Sequence, residues 1–314
     1  MVELDRRSPV VVCAADNNYA MQLAVVVRSA VEHLDGDRRL LIYVIDGGIT
    51  SRNKAKILRS IDSSRCNITW LQPSLNLLSQ MPVSGHITAA AYLRILIPDL
   101  LPDAVEKAIY LDSDLIVNAD LGKLWDIPLE KALSAVQDFS VPYVSCKGGL
   151  SNYRELNLSD DRKYFNSGVL VFDLERWRSE NLRQKIFQYI AQNKRSIQLH
   201  DQDAMNAVLA WDWQELDPRW NQTPHIFKPL SWQESPFNEA VYKQILQDPY
   251  IIHFASAAKP WNSREIYPAT DLFFQYVDKT AWAGWRLTRW RRLQNRLLRE
   301  VKQFRRRTPQ WLPI

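Results

Sequence analysis

Short apolar runs alternate with segments of helical period through the first third of the chain. Residues 9–15, PVVVCAA, form a Val-rich run of strand length. Asp16, Asn17, Asn18 and Tyr19 follow, residues suited to a strand-to-helix turn and an N-cap. Residues 20–34 then place apolar side chains at helical spacing. Residues 40–45 read as a second strand closed by Asp46-Gly47-Gly48. Ser51 is expected to cap a basic helix to about Ile61, and residues 68–71 read as a third strand. This alternation predicts a parallel sheet with helices on both faces and right-handed crossovers. Ligands of such sheets bind at the carboxyl ends of the strands. Asp16, Asp46 and Asp112 fall at those ends and are expected to line one crevice.

The pattern continues with less regularity. Residues 86–97 contain AAAYLRILIP, in which Ala89, Leu93 and Leu96 share a helix face with Arg94 beside them. Pro98 and Pro102 are expected to end that helix. Residues 107–118, KAIYLDSDLIVN, read as an apolar strand interrupted by Asp112-Ser113-Asp114. LGKLWDIPL suggests one helical turn stopped by Pro128. Residues 133–136 form a strand ending in Gln137-Asp138. Residues 141–163 are polar and mixed, and read as a long loop, which in a compact domain is usually functional or mobile. Residues 164–174, YFNSGVLVFDL, resume apolar alternation and feed a helix from Glu175 to about Asn193. His200-Asp201-Gln202-Asp203 opens a further helix, and residues 250–255 are a late strand followed by AKPWNS.

Composition narrows the class. Length, 46% apolar and 24% charged residues fit a soluble globular protein of one large domain or two small ones. The first residues, MVELDRRSP, lack an apolar signal-peptide core, and no run reaches membrane-spanning length. Cys13, Cys66 and Cys146 show no CxxC spacing, which argues against a zinc site and fits a reducing cytoplasm. Asn67, Asn157 and Asn221 match the glycosylation sequon and are read as chance matches. Charge is distributed unevenly. Residues 279–314 carry 11 Lys/Arg against one Asp/Glu, while the rest of the chain carries 29 against 34. The pI near 9.0 therefore describes a tail on an acidic body.

The candidate chemistry is spread along the chain. Two carboxylates flanked by apolar chain, Asp112 and Asp114, need a positive partner if they are buried. With His253 they offer two oxygens and one imidazole, a set suited to Mn2+ or a similar ion with positions open for a diphosphate. Arg94 and Lys259 are cations that can meet phosphates or a developing anionic leaving group. Asp16, Asn18 and Tyr19 can hydrogen-bond and stack on a nucleobase, and Asn166, Asp201 and Gln202 can read sugar hydroxyls. Each also has a plain alternative: His253 as a hydrogen-bonded strand residue, Asn166-Ser167-Gly168 as a bulge, and Asp201 and Asp203 as N-terminal helix acids.

Taken in order, AADNNY, AYLRILIP, IYLDSDLIV, YFNSGVLVFDLERW, HDQDAMN and HFASAAKPW resemble the landmarks of glycosyltransferase family 8. This family comprises retaining nucleotide-sugar transferases that include bacterial lipooligosaccharide galactosyl- and glucosyltransferases and glycogenin. The resemblance runs from about Val10 to Trp261. It implies a single α/β domain of GT-A type, mainly parallel sheet flanked by helices, over residues 1–278. It also implies a metal-dependent transfer of galactose or glucose from a UDP-sugar to a glycan or lipid-linked acceptor. Asp112 and Asp114 match the metal-binding Asp-x-Asp and His253 the third ligand, with Mn2+ expected and Mg2+ as the alternative. Ala14, Asp16, Asn18 and Tyr19 match the uridine segment. Arg94, Ser113, Ser256 and Lys259 match positions at the donor sugar or its diphosphate, and Asp138, Asn166, Asp201 and Gln202 the donor-sugar site. Gln202 falls beneath the anomeric carbon. An amide is a poor nucleophile, so the resemblance favours a front-face, dissociative transfer in which Gln202 steadies the cationic sugar and the departing diphosphate helps deprotonate the acceptor. Arg94, Asp201, Gln202 and Lys259 are thus the catalytic candidates. Ser256 stands where many relatives have Gly and is expected to tighten its loop. Acceptor choice is assigned to residues 141–163, where no family motif is found.

Residues 279–314 form the remaining region. Trp290, Leu293, Leu297, Val301 and Phe304 make one helical stripe flanked by Arg289, Arg292, Arg296, Arg299 and Lys302. Basic residues opposite Trp and Leu suit an amphipathic helix on an anionic membrane, and hence a peripheral enzyme at the cytoplasmic face. The same residues suit a helix packed on the body with a solvated basic face. Nucleic-acid binding ranks below both, because no recognition motif accompanies the charge. Two other functions stay open: a self-glycosylating enzyme like glycogenin, and a membrane-docking sugar-nucleotide binder without turnover. The oligomeric state is left open.

Overall fold

In a computed structural model of the chain, residues 7–74, 89–228, 231–263 and 267–290 are described. Seven strands form one sheet in the order β3-β2-β1-β4-β7-β6-β8. These are β1 Val10–Ala15, β2 Leu40–Asp46, β3 Cys66–Leu71, β4 Lys107–Leu111, β6 Leu133–Gln137, β7 Phe165–Asp173 and β8 Trp213–Glu215. The predicted parallel character holds for β3, β2, β1 and β4 and for the β6–β8 pair. β7 runs antiparallel to both of its neighbours, so the sheet is mixed. Its reversal brings the start of β7, with Asn166, to the edge where β1 and β4 end.

Both faces of the sheet are covered, which is why its strands read as continuous apolar runs. Val10, Val12 and Tyr110 face a core shared with the helices Leu174–Ser179, Leu182–Gln192 and Asp201–Val208. Val11, Cys13, Ile109 and Leu111 face a second core beneath the helix Ala20–Glu32. A two-stranded ribbon of β5 Leu115–Val117 and β9 Ile251–His253 lies apart from the sheet. It packs through Ile116, Ile252 and Phe254 with Met21 and Val25 of that helix and Phe273 and Val277 of the helix Thr270–Asp278.

Several sequence expectations change. Residues 107–118 are two strands in different sheets, not one interrupted strand. The helix Ser51–Arg59 is capped by Thr50, whose hydroxyl accepts from the Asn53 amide, rather than by Ser51. Ala89–Leu96 winds as a 3-10 helix, and residues 86–88 lie outside the described residues. Pro98 does not end it: it occupies the first turn of the helix Ile97–Leu100, where a missing N–H costs nothing. The long helix expected from Glu175 is two helices, broken at Asn181, which adopts φ 53°. Asn tolerates that left-handed conformation better than most residues. β8 and the helices Glu239–Gln247 and Thr270–Asp278 went unread in the sequence. Residues 141–163 hold no strand or helix, as expected, yet Val141, Val144, Leu150 and Leu158 pack with Tyr164 into a small core of their own.

The residues that open the tail pack on the body. Trp282 is half-buried with Lys56 4.0 Å above its ring, and Trp285 stacks on Phe274. Trp290 is 75% exposed. Residues 291–314, which carry most of the amphipathic stripe, lie outside the described residues.

Candidate functional site

The turn between β4 and β5 is held by its backbone and by Ser113. The Asp112 amide donates to Gly168 O at 2.9 Å, and the Phe254 amide donates to Asp114 O at 2.9 Å. Ser113 donates its hydroxyl to Ala14 O at the end of β1, 2.8 Å away. With these anchors, the Asp112 and Asp114 side chains meet His253, whose Cα pairs with that of Leu115 across the ribbon. One ligand atom from each of the three residues lies within 4.8 Å of the others. His253 Nε2 is 3.3 Å from Asp114 Oδ1 and 3.7 Å from Asp112 Oδ2. This donor set fits a hard divalent ion.

The imidazole is oriented from behind. His253 Nδ1 lies 2.9 Å from Asn221 Oδ1, and the Asn221 amide nitrogen donates to Asn166 Oδ1, also at 2.9 Å. The carbonyl oxygen of Asn221 can only accept, so Nδ1 carries a proton and Nε2 is the nitrogen that faces the carboxylates. Asn221 is buried, so this sequon residue belongs to the site. The sequence offered a signal only in its position within a polar stretch between strands. Gly168 makes room for the cluster: a Cβ there would lie 2.2 Å from His253 Cε1 and 3.0 Å from Asp112 Oδ2. It stands in a bulge of β7, where the register against β6 jumps from Leu170 to Asn166, as its Gly suggested.

Cations meet the carboxylates on the other side. Arg94 Nη2 is 3.0 Å from Asp112 Oδ1, and Lys259 Nζ donates to Asp114 and to Phe254 O. Burial acts to raise Asp114, but His253 and Lys259 outweigh it and hold its carboxyl well below the usual range. Arg94 also donates to Ser167 O and Oγ. Its Nε sits 2.9 Å from Asp201 Oδ2, close in distance but not aligned as a hydrogen bond. Burial pushes the Asp201 carboxyl up to about 6, partly opposed by Arg94 and reinforced by Asp112. Asp201 opens its helix after His200, a non-glycine residue held at φ 54°; such strained positions cluster at working sites.

A polar floor joins these groups. Asn166 donates to Asp138 Oδ2 at 2.8 Å, and Gln202 Nε2 donates to the same oxygen at 3.2 Å. Gln202 Oε1 accepts from the Ser167 amide and hydroxyl. Asp138, Asp201 and Gln202 are all buried. Asp203, the neighbouring acid, is instead absorbed by the fold: it accepts from Tyr164 and from the Gln198 and Leu199 amides. Beyond Asp138, Phe139 and Ser140 join His225, Lys228 and Glu234 around an open cavity of ≈310 Å³.

The segment from Asp16 to Tyr19 lies beside the cluster of Asp112, Asp114 and His253. Asp16 caps the short 3-10 turn Asn17–Tyr19, accepting from the Asn18 and Tyr19 amides and from the Asn18 side chain. Tyr19 meets Trp261 edge-on, and its phenol is pushed up to about 12, first by burial and then by Asp114 and Asp112. Ser256 donates to Ala258 O and contacts the Tyr267 hydroxyl, cross-bracing the loop before Lys259. Asp46 does not join the crevice. It is consumed by the Gly48 and Ile49 amides, Gln72 and Lys54.

Residues 10–265 match the family described as Glycosyl transferase family 8. The chain is 36% identical over 275 residues to General stress protein A of Bacillus subtilis (strain 168), covering 87% of this chain and 94% of the relative. It is 25% identical over 271 residues to the lipopolysaccharide 1,2-glucosyltransferase of Escherichia coli (strain K12), covering 85% and 77%. The galactosyltransferase LgtC, solved in complex with donor and acceptor sugar analogues, superposes with a TM-score of 0.73 at 25% identity, over 86% of this chain and 96% of that one.

Proposed function

The chain belongs to glycosyltransferase family 8, and from that premise we propose that it is a metal-dependent, retaining hexosyltransferase that takes galactose or glucose from a UDP-sugar. The observation that carries the reading is the convergence of Asp112, Asp114 and His253 next to the floor of Asp138, Asn166 and Gln202. A divalent ion, Mn2+ first and Mg2+ second, would be held by the three ligands and would offset charge on the diphosphate. Ala14, Asp16, Asn18 and Tyr19 hold the uridine, with Ser113 and Ser256 fixing the loops on either side of the diphosphate. Arg94 and Lys259 already lie against the carboxylates, where they can share them with an ion and turn to a leaving phosphate. Asp201 and Asn166 address sugar hydroxyls. The carbonyl oxygen of Gln202 is engaged by Ser167 and its nitrogen by Asp138, an arrangement that suits a fixed dipole under a cationic sugar better than a nucleophile.

The acceptor, a glycan or a lipid-linked glycan, enters by the cavity beside Asp138 and Phe139. A screen of UDP-hexoses for slow hydrolysis tests the reading: Mn2+ should support release of UDP from one of them, and a chelator should abolish it. Full activity in the chelator would refute metal dependence. The tail is proposed to dock on anionic membrane at the cytoplasmic face, supported by its 11 basic residues and the exposed Trp290. No helix among the described residues is long and apolar enough to cross a membrane. Removal of residues 291–314 should release the protein from anionic vesicles; retained binding would refute the docking role.

A further inference from the structure

A second concave site lies at the outer edge of the sheet, away from the metal cluster. β8 is the edge strand, and the end of the 141–163 segment folds beside it to form a groove of ≈430 Å³. Its apolar surface is Trp211 and Trp213. Trp213 packs on Phe165 at 5.2 Å and is half-buried. Trp211 is 60% exposed, an unusual cost for so large a ring in a folded protein. It is nonetheless fixed: the Arg162 guanidinium lies 3.8 Å over the ring, and Arg162 Nε donates to Ala210 O at 2.7 Å. An aromatic ring braced by a cation and still 60% exposed is a ready stacking surface.

The polar lining selects among ligands. Asp161 and Glu215 supply two carboxylates, Arg162 and Lys163 two cations, and Lys163 pairs with Glu215 at 2.6 Å. Formal charge in the groove therefore cancels, which gives little attraction to a phosphate, a nucleic acid or an anionic membrane. A sugar ring suits such a lining. Its C–H face packs on an indole, while its rim of hydroxyls needs both donors and acceptors close by. The groove also communicates with the catalytic end. The Asp138 amide donates to Tyr164 O at 2.8 Å, and Lys163 directly precedes Tyr164. Glu215 pairs with Ala135, three residues, or about 10 Å of strand, before Asp138.

We propose that this groove is a carbohydrate-binding subsite that holds a neutral sugar of the acceptor glycan distant from the bond being formed, with Trp211 as its stacking plate. The identification of that glycan as acceptor rests on the transferase reading; the affinity of the groove for sugar does not. Arg162, Lys163 and the two Trp residues are then specificity determinants, and the 141–163 segment selects the acceptor through its last residues.

The test uses the full chain on an array of immobilised glycans, followed by titration with short neutral oligosaccharides of glucose and galactose, observed by saturation-transfer NMR. Trp211→Ala should weaken oligosaccharide binding about tenfold and Trp211→Phe much less. UDP binding and Mn2+-dependent donor hydrolysis should be the same in both variants as in the wild type. Equal oligosaccharide affinity in Trp211→Ala, or no glycan held at all, overturns the proposal, as does displacement of bound sugar by peptides. Sugar binding that depends on Trp211 in a protein without donor hydrolysis would remove the transferase reading and leave the subsite standing. Donor hydrolysis with glycan binding indifferent to Trp211 would remove the subsite alone.

Discussion

Asp46 and the pair Asp112 and Asp114 occupy matching places, each at the carboxyl end of a parallel strand, yet the protein uses them in opposite ways. Asp46 takes two backbone amides, a Gln amide and one lysine. Among the described residues, the Asp112 and Asp114 carboxylates accept from no backbone amide; their partners are Tyr110, Arg94, Lys259 and the His253 ring. Backbone amides are fixed by the fold and cannot leave. Side-chain cations can be shared with, or moved by, an incoming ion or phosphate. The kind of partner separates a carboxylate that closes a turn from one whose partners an ion or phosphate can replace.

The largest test of that contrast is Asp114→Asn. Donor hydrolysis per folded molecule should fall by about a thousandfold, on the order of 4 kcal/mol of transition-state stabilisation, beyond any stability lost when Lys259 and His253 lose their partner. Asp46→Asn should do the reverse, lowering stability by about 1–3 kcal/mol with activity per folded molecule kept. Loss of activity in the second, or of folding in the first, would erase the distinction. A pH series sharpens it. The Asp201 carboxyl is raised to about 6 from 3.8, so its contribution to stability is complete below about pH 4 and is lost as pH rises through 6. Asp201→Asn should therefore gain up to about 3 kcal/mol relative to wild type between pH 4 and 7. Burial alone would raise Asp46, but Lys54 and the Ile49 and Gly48 amides outweigh it and depress it. Its contribution is present above about pH 4 and lost as pH falls, so the two variants should have difference curves of opposite slope in denaturant titrations. The smallest effect concerns orientation alone. Asn221→Ala should cost about ten- to a hundredfold in Mn2+ affinity, read by calorimetry, with the midpoint of urea unfolding moved far less than by Asp46→Asn.

Much of this was legible in the chain because the relevant signals are local. The strands β1, β2 and β4 are apolar runs bounded by turn residues, and Asp112, Asp114, Asn166 and Gln202 sit in short motifs with a fixed order. Physical context hid the rest. Asn181 breaks a helix through one backbone angle that many Asn residues never adopt. Asp46 looked equivalent to Asp112 because sequence shows the end of a strand but not which amides curl back onto it. Asn221 carried no sign beyond its place in a polar stretch between strands, since its contact with His253 spans 32 residues and depends on β9 pairing with β5. Trp211 could be read as any aromatic near a strand until its exposure was seen.

The ribbon of β5 and β9 sets the order in which this site can come into being. Asp112 and Asp114 leave the ribosome early, but Lys259 lies 145 residues beyond Asp114, and His253 enters only when β9 pairs with β5. Contacts of such long sequence separation form late. A chain caught part-way through synthesis, or cleaved before β9, therefore has the carboxylates but not the imidazole. On the proposed function, any stabilisation by ion and sugar nucleotide would accrue to the completed fold alone, and ligand binding would be a checkpoint on the finished polypeptide as well as the first step of turnover.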